Sequence, residues 1–388
     1  MTIHDIKSWY KESPLWLIPE DWNIVTIKDI SEYSTSSLSM NDLLDNEWDF
    51  PLYWASWFIK KIDFYEKSEN YIGIVKDWAW IWRVMLWSPQ TSVLWTMAYI
   101  TNKDNANLCY LYFLLANINY GKFVTWGAIP HVYFKDYWST RIMLPPLQEQ
   151  EAISKILLKI DEVINITQEV IKKLELRNKW LDQKLLTWKV RLKWFNKDRV
   201  GKKIGDEITF YWKKSTVNDE YEVLTSSKAG LVTQKEYYGD NRLVARENIW
   251  FNIIPSWYIT YRSRSDDWKF TFNINKYEFT WIVSKYYPVF TCKTWSNEFL
   301  VKYLNLFASK IGSFSIWTSQ LVLWTKELCD IYLDFPEPEE QKAIVNILNE
   351  SINQLDWYKG KLEKLQELKK WLMQQLLTWK VRVKEFRN

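Results

Sequence analysis

One stretch of this sequence occurs twice, and that repeat constrains the fold more than any other feature. Residues 149–195 and 340–386 align without a gap, nearly half of the aligned positions are identical, and LLTWKVR recurs intact at 185–191 and 376–382. The chain is therefore a tandem of two units, each a variable globular segment followed by a shared segment. In the first copy Ile153, Leu157, Ile160, Ile164, Thr167, Ile171, Leu174, Asn178, Leu181 and Leu185 follow strict 4-3 spacing. The second copy gives Ile344, Leu348, Ser351, Leu355, Tyr358, Leu362, Leu365, Lys369, Leu372 and Leu376. This is a heptad seam with charged residues at the outer positions, so each copy is expected to form one long helix. Pro145–Pro146 and Pro336, Pro338 lead into the two first turns.

Each apolar stripe needs a partner, and the natural partner is the other copy. The intervening segment can return the chain so that the two helices pack antiparallel, with the polar seam residues Asn178 and Lys369 fixing register at some cost in stability. The alternative is two amphipathic helices buried in separate domains, against which ten consecutive heptad positions argue.

The boundaries expected on this basis are a first variable domain at 1–145, a helical spacer at 146–195, a second variable domain at 196–337 and a second spacer at 338–388. Both variable segments mix strands with one helix. The first shows YIGIV, RVML and SVLW, a helix around NLCYLYFLLANI, and RIML before the prolines. The second shows YEVLT, RLVA, YITYR, FTFNI and WIVSKYYPVFT, a helix around EFLVKYLNLFASKI, and IYLDF. A turn, TWGAIPH at 125–131 or WTSQLVLWT at 317–325, precedes each final strand. The predicted fold is α+β: two mixed α/β domains separated by two long antiparallel coiled-coil helices, in a pseudo-twofold tandem repeat.

Composition narrows the function. Two histidines, His4 and His131, leave little room for a His-rich catalytic or metal site. Cys109, Cys292 and Cys329 lack CxxC spacing, which fits a reducing cytoplasm better than a disulfide framework. No run is long and apolar enough for a membrane span, and the first residues show no secretory h-region. A formal net charge of +4 permits a nucleic-acid partner without requiring one.

The chain has 27 Trp and 9 Gly, whereas average glycine usage would give about 27 Gly. Many tryptophans sit where a backbone wants glycine. Trp54 and Trp57 fall in a turn-like stretch, Trp78, Trp80 and Trp82 alternate in KDWAWIWRV, and Trp188 and Trp379 follow the last seam leucines. The pattern fits a gene whose UGA codons specify glycine but are rendered as tryptophan, with UGG at Trp54, Trp80 and Trp188 as the contrary finding. Trp22 in IPEDWNIV reads as a true tryptophan. A naturally Trp-rich protein is the alternative.

Candidate contact residues are basic and polar side chains interleaved with aromatics. In the first segment they are Lys60, Lys61, Arg83, Thr125 and His131; in the second, Arg242, Arg246, Asn248, Tyr261, Arg262, Arg264 and Lys269. Arginine can grip guanine bidentately, asparagine can do so for adenine, and lysine mainly neutralises phosphate. Each residue alone reads more readily as solvated surface; the grouping RENIW…YRSRSDDWK carries the weight.

With the repeat established, IPEDW, PLYWASWFI, KDWAWIWRV, IPHV, LPPLQEQEAI and LLTWKVR resemble type I restriction-modification specificity subunits, in which the corresponding stretches read PLYGASG, KDGAGIGRV, PPLxEQ and LLTGKxR. The departures are almost all Trp where the family carries Gly. The resemblance spans essentially the whole chain. It implies two target-recognition domains reading the halves of a bipartite double-stranded DNA site, and helices that set the gap and bind methyltransferase subunits. A helix of about 38 residues at ~1.5 Å each is ~57 Å long, equal to ~17 base pairs at ~3.4 Å per step. Restriction and translocase subunits would join the complex. S-adenosylmethionine, ATP and Mg would reside on partner subunits, leaving no cofactor or metal on this chain and no catalytic residue.

Rival readings are weaker. An adenine methyltransferase needs an [N/D/S]PP[Y/F/W] loop, and LPPL at 144–147 lacks its polar residue. No GxxxxGK[ST] occurs. A glycine reading of 78–82 would precede a strand, not the helix a nucleotide loop opens. A coiled-coil scaffold without a DNA role leaves the two arginine-bearing segments unexplained. A specificity module for another class of modification enzyme stays open.

Overall fold

The structure is a computed structural model that describes residues 10–14, 17–40, 49–76, 83–125, 131–227, 230–239, 247–294, 296–318 and 320–383. The chain forms two compact units: residues 1–168 with 360–388, and residues 169–359. The expected long helices are present, at Leu147–Leu186 and Pro338–Leu376. Each contributes one part of its length to each unit.

In the first unit the two helix segments run antiparallel. Ile153 and Leu157 share a core with Met373, Leu376 and Leu377, and Lys369 Nζ lies 2.6 Å from Asp161 Oδ1. The second unit repeats this. Asn178 Nδ2 donates to Ser351 O (3.1 Å), Arg177 Nη2 donates to Ser351 Oγ (2.8 Å), and Lys359 pairs with Glu175 at 3.0 Å. The seam positions are buried or half-buried throughout, from Ile153 at 1% to half-buried Leu362 and Leu365. Fully burying a leucine or isoleucine contributes about 1.5–3 kcal/mol, so these stripes hold each antiparallel segment pair. The polar seam residues have found partners, as Lys369–Asp161 and Asn178–Ser351 show.

Both units carry the same element order around their sheets. In the first, a four-stranded antiparallel sheet orders Ser31–Thr35, Met97–Asn102, Tyr71–Val75 and Val84–Trp87. The strand Tyr71–Val75 is buried along its whole length. Side-chain alternation sends Ile72 and Ile74 into the main core with Ile100 and Leu111, and Tyr71 and Val75 into a second core with Met97 and Tyr99. Burial on both faces explains why YIGIV reads as a continuous apolar run. The second unit orders Ile208–Phe210, Val289–Cys292, Ile259–Tyr261 and Phe272–Ile274 in the same way.

The helix Leu108–Ala116, capped by Asn107, backs the first sheet, and Asn297–Leu306, capped by Ser296, backs the second. Here the repeated EQ dipeptide acts. Gln150 accepts from Asn107 N (2.8 Å) and donates to Pro145 O (2.8 Å); Gln341 accepts from Ser296 N (3.4 Å) and donates to Pro336 O (3.0 Å). Each glutamine ties the start of a long helix to the cap of the helix on the sheet.

Past each long helix the backbone turns left-handed, at Trp188 (φ 66°) and Trp379 (φ 58°). Val190 N then returns to Lys184 O, and Val381 N to Gln375 O, both at 3.2 Å. Trp54 and Trp57 differ from expectation: in their turn the left-handed residue is Ala55 (φ 50°). Trp78, Trp80 and Trp82 lie outside the described residues, as does the expected strand RLVA.

Candidate nucleic-acid interface

In the second unit the chain leaves strand Ile259–Tyr261 and re-enters the sheet at Phe272–Ile274; the connection bears Arg262, Arg264 and Lys269. Alternation sends Ser263 and Ser265 inward and the two arginines outward, all three cations being exposed. Arg264–Ser265 pairs with Leu321–Val322, and Leu323 N donates to Ser263 O at 3.0 Å, so the connection is held on the turn around 316–323. Ser265 Oγ donates to Lys269 O (2.8 Å) and lies 2.9 Å from Asp267 Oδ1, closing a tight loop.

Beside this loop is a cleft of about 640 Å³ lined by Arg262, Arg264, Lys269, Glu236, Asp266, Asp267, Ser226 and Ser227. Arg264 lies over the Tyr286 ring, 4.8 Å from its centroid, and Gln320 donates to Asp266 at 2.9 Å. Such a set offers cations for phosphate or guanine and carboxylates for base amino groups.

The first unit builds the matching place from its own residues. Val75 N donates to Arg83 O (3.0 Å), Val132 N donates to Lys76 O (3.0 Å), and Thr125 and His131 exchange backbone bonds of 2.9 and 3.2 Å. Arg83, Thr125 and His131 are thereby gathered at one end of strands Tyr71–Val75 and Val84–Trp87. Burial holds the His131 imidazole below its ordinary pKa, and nearby Lys76 adds to the effect while Asp136 opposes it. Burial likewise lowers the pKa of the Lys76 ammonium.

Lys60 and Lys61 sit apart, on strand Trp57–Ile62 of a three-stranded sheet, opposite Leu52 and Pro51. Two candidates need correction. Tyr261 is fully buried, with its hydroxyl donating to Leu323 O at 3.1 Å, so its ring is core and not surface. Asn248 is also buried: its Nδ2 donates to Asp219 Oδ1 and its Oδ1 accepts from Asp219 N, both at 2.8 Å. Its amide is spent on shaping the loop at 218–219. Arg242 and Arg246 lie outside the described residues. Lys76, Asp266 and Gln320 were not singled out although KDWAWIWRV, YRSRSDDWK and WTSQLVLWT contain them, and nothing in the sequence marked Ser226, Ser227 or Glu236.

The two long helices close their units with a buried carboxylate. Glu149 takes Arg382 of the second LLTWKVR, and Glu340 takes Arg191 of the first, at 2.7 and 3.0 Å. Arg199 adds a second cation on Glu340 at 3.1 Å. The described part of the chain contains no helix long and apolar enough to cross a membrane.

Comparison with known proteins agrees with this duplicated architecture. The family model for the type I restriction modification DNA specificity domain matches twice, at residues 19–176 and 193–367. The type I restriction enzyme MjaVIII specificity subunit of Methanocaldococcus jannaschii is 25% identical over 420 aligned positions, covering 97% of this chain and 96% of that protein. The fold resembles the crystal structure of a type I restriction-modification S subunit from M. genitalium, with TM-score 0.59 and 15% identity over 92% of this chain and 96% of that one. An HsdS subunit from Thermoanaerobacter tengcongensis, at TM-score 0.48 and 16% identity over 96% and 100% of the two chains, is a more distant likeness. Two tandem matches to one domain model, spanning most of the sequence, establish that the chain belongs to the family of type I restriction-modification specificity subunits.

Proposed function

We propose that this chain reads a bipartite double-stranded DNA target, one half with each unit, and itself carries no catalytic group. The target-recognition segments are 1–145 and 196–337, and the helical spacers 146–195 and 338–388. Methyltransferase subunits dock on this chain, and restriction and translocase subunits complete the assembly. S-adenosylmethionine, ATP and Mg belong to those partners, and the complex works in the cytoplasm without a membrane.

The observation that carries the reading is the cleft beside the loop 262–271. Arg262, Arg264 and Lys269 line it together with Glu236, Asp266 and Asp267, on a loop held by the strand Leu321–Val322. Phosphate contacts by lysine fix register, and the arginines and acids read base edges. In the first unit Lys76, Arg83, Thr125 and His131 take the equivalent place. Lys60 and Lys61 add phosphate contacts from a separate sheet.

The test is to assemble the full chain with its methyltransferase subunits and map methylated bases by single-molecule sequencing. R262A/R264A/K269A should relax or abolish one half of the target and leave the other half unchanged. An unaltered methylation pattern would reject the assignment.

A further inference from the structure

Among the described residues, the non-glycine positions with left-handed backbone include five tryptophans: Trp188, Trp250, Trp257, Trp268 and Trp379. A bulky side chain is an outlier there, because its Cβ crowds the neighbouring carbonyl; asparagine and aspartate are the usual exceptions. We propose that the residue the cell inserts at these five positions is glycine, from a UGA codon that its tRNA reads as glycine.

Each position is a slot that glycine fills for its own geometric reason. Trp188 and Trp379 stand just past the last turns of the two long helices, where a left-handed residue ends a helix and glycine is preferred. They occupy the same place in the two copies of LLTWKVR, so one backbone demand is met twice in separate units. Trp257 is the third residue of the turn Pro255–Tyr258, closed by Tyr258 N donating to Pro255 O at 3.2 Å. Trp250 is the third residue of the turn Asn248–Phe251, closed by Phe251 N donating to Asn248 O at 3.3 Å. A positive φ at the third position of such a turn calls for glycine.

Trp268 lies within the loop that carries Arg264 and Lys269. Its own φ of 59° sets the demand there, on the face of the loop whose backbone closely approaches Gly312. Three of the five side chains argue the same way, whereas Trp188, packed on Phe299 under Arg199, and Trp379, packed on Tyr10, are half-buried and are assigned on backbone geometry alone. Trp250, Trp257 and Trp268 leave 64%, 52% and 55% of their surface in water, so three large indoles do little packing.

Trp22 shows what a required tryptophan looks like here. It is 1% exposed, and its indole Nε1 donates to the buried Glu149 at 3.0 Å. Trp87 and Trp281, whose buried indole nitrogens lack an acceptor, fall outside the assignment because their φ angles do not demand glycine. The assignment rests on backbone geometry and stands apart from the DNA-reading proposal. Its bearing on that site is that the loop 262–271 would carry no indole beside Lys269.

The test is mass spectrometry of the protein purified from cells that encode it, with fragment ions read across each position. The expected result is glycine at 188, 250, 257, 268 and 379 and tryptophan at 22. Tryptophan at the five left-handed positions overturns the proposal, and so does a UGG codon at them. Glycine at 22 as well would overturn it too, by showing that substitution does not follow the backbone. None of these readouts depends on DNA binding.

Discussion

Arg382 grips Glu149 with two parallel bonds, Nη2 to Oε2 at 2.7 Å and Nε to Oε1 at 3.1 Å, although the two residues lie far apart in sequence. The carboxylate is completely buried, and Trp22 Nε1 supplies a third donor at 3.0 Å. Asp21 holds the outer edge of the same guanidinium at 2.7 Å. The first helical turn of one repeat copy is thus tied to the tail of the other and to the start of the chain within one unit.

Removing the cation would strand a buried charge. Arg382→Met should destabilise the first unit by about 3–5 kcal/mol, the usual cost of breaking one side of a buried pair. Arg382→Lys should lie between Met and arginine, since an ammonium cannot reproduce the two-pronged contact. Urea unfolding followed by Trp fluorescence measures both, and equal stability of all three proteins would contradict the reading.

Arg262 should discriminate bases. Arg262→Ala is expected to cost about 1–3 kcal/mol of binding and to relax one position of the recognised sequence. Titration against a set of singly altered duplexes measures this, and a uniform loss across all duplexes would instead mark Arg262 as a phosphate contact.

Lys269 should behave in the opposite way. Lys269→Ala is expected to weaken binding evenly across sequences and to lower the slope of log affinity against log salt by about one. Measuring affinity at several salt concentrations separates the two roles.

Gly312 should resist substitution. A Cβ there would meet the Trp268 carbonyl oxygen at 2.0 Å, and that partner is backbone, so the loop at 265–269 must move. Gly312→Ala should cost about 1–3 kcal/mol through overpacking and also weaken DNA binding, measured by calorimetry and by band shift.

His131 sets a pH dependence. Its imidazole pKa is lowered from the ordinary 6.5, mainly by burial and then by Lys76. The folded state therefore binds fewer protons than the unfolded state between the lowered value and 6.5. The associated stability is fully present above pH 6.5 and declines as pH falls through that window. His131→Gln should flatten the dependence there, and a melting profile unchanged by the substitution would exclude His131 as its source.

The tandem organisation, both long helices and the family were legible in the sequence, whereas fewer than half of the described strands were, and the sheet strands Ser31–Thr35 and Met97–Asn102 were not. The heptad spacing from Ile153 to Leu185 and from Ile344 to Leu376 depends only on helical period, and a burial pattern with one period can be read locally. That Asn178 and Lys369 break the apolar seam is legible in the same way, but that their partners are Ser351 and Asp161 is not. The contact residues were legible only in part. Arg262 and Arg264 alternate with Ser263 and Ser265, and Tyr261 shares the inward parity of the serines, so the alternation that exposes the arginines also puts its ring in the core.

What the sequence by itself determined is the repeated helix with its seam, since periodicity and identity are properties of a string. What only the tertiary structure decided is which distant residues meet: Glu149 with Arg382, Glu340 with Arg191, and Ser226, Glu236 and Arg262 around one cleft. Those meetings depend on how strands order in a sheet and where loops return. Side-chain alternation along one strand cannot encode what stands across the cleft from it, so the hydrogen-bond partners of a buried carboxylate become visible only when the chain is folded.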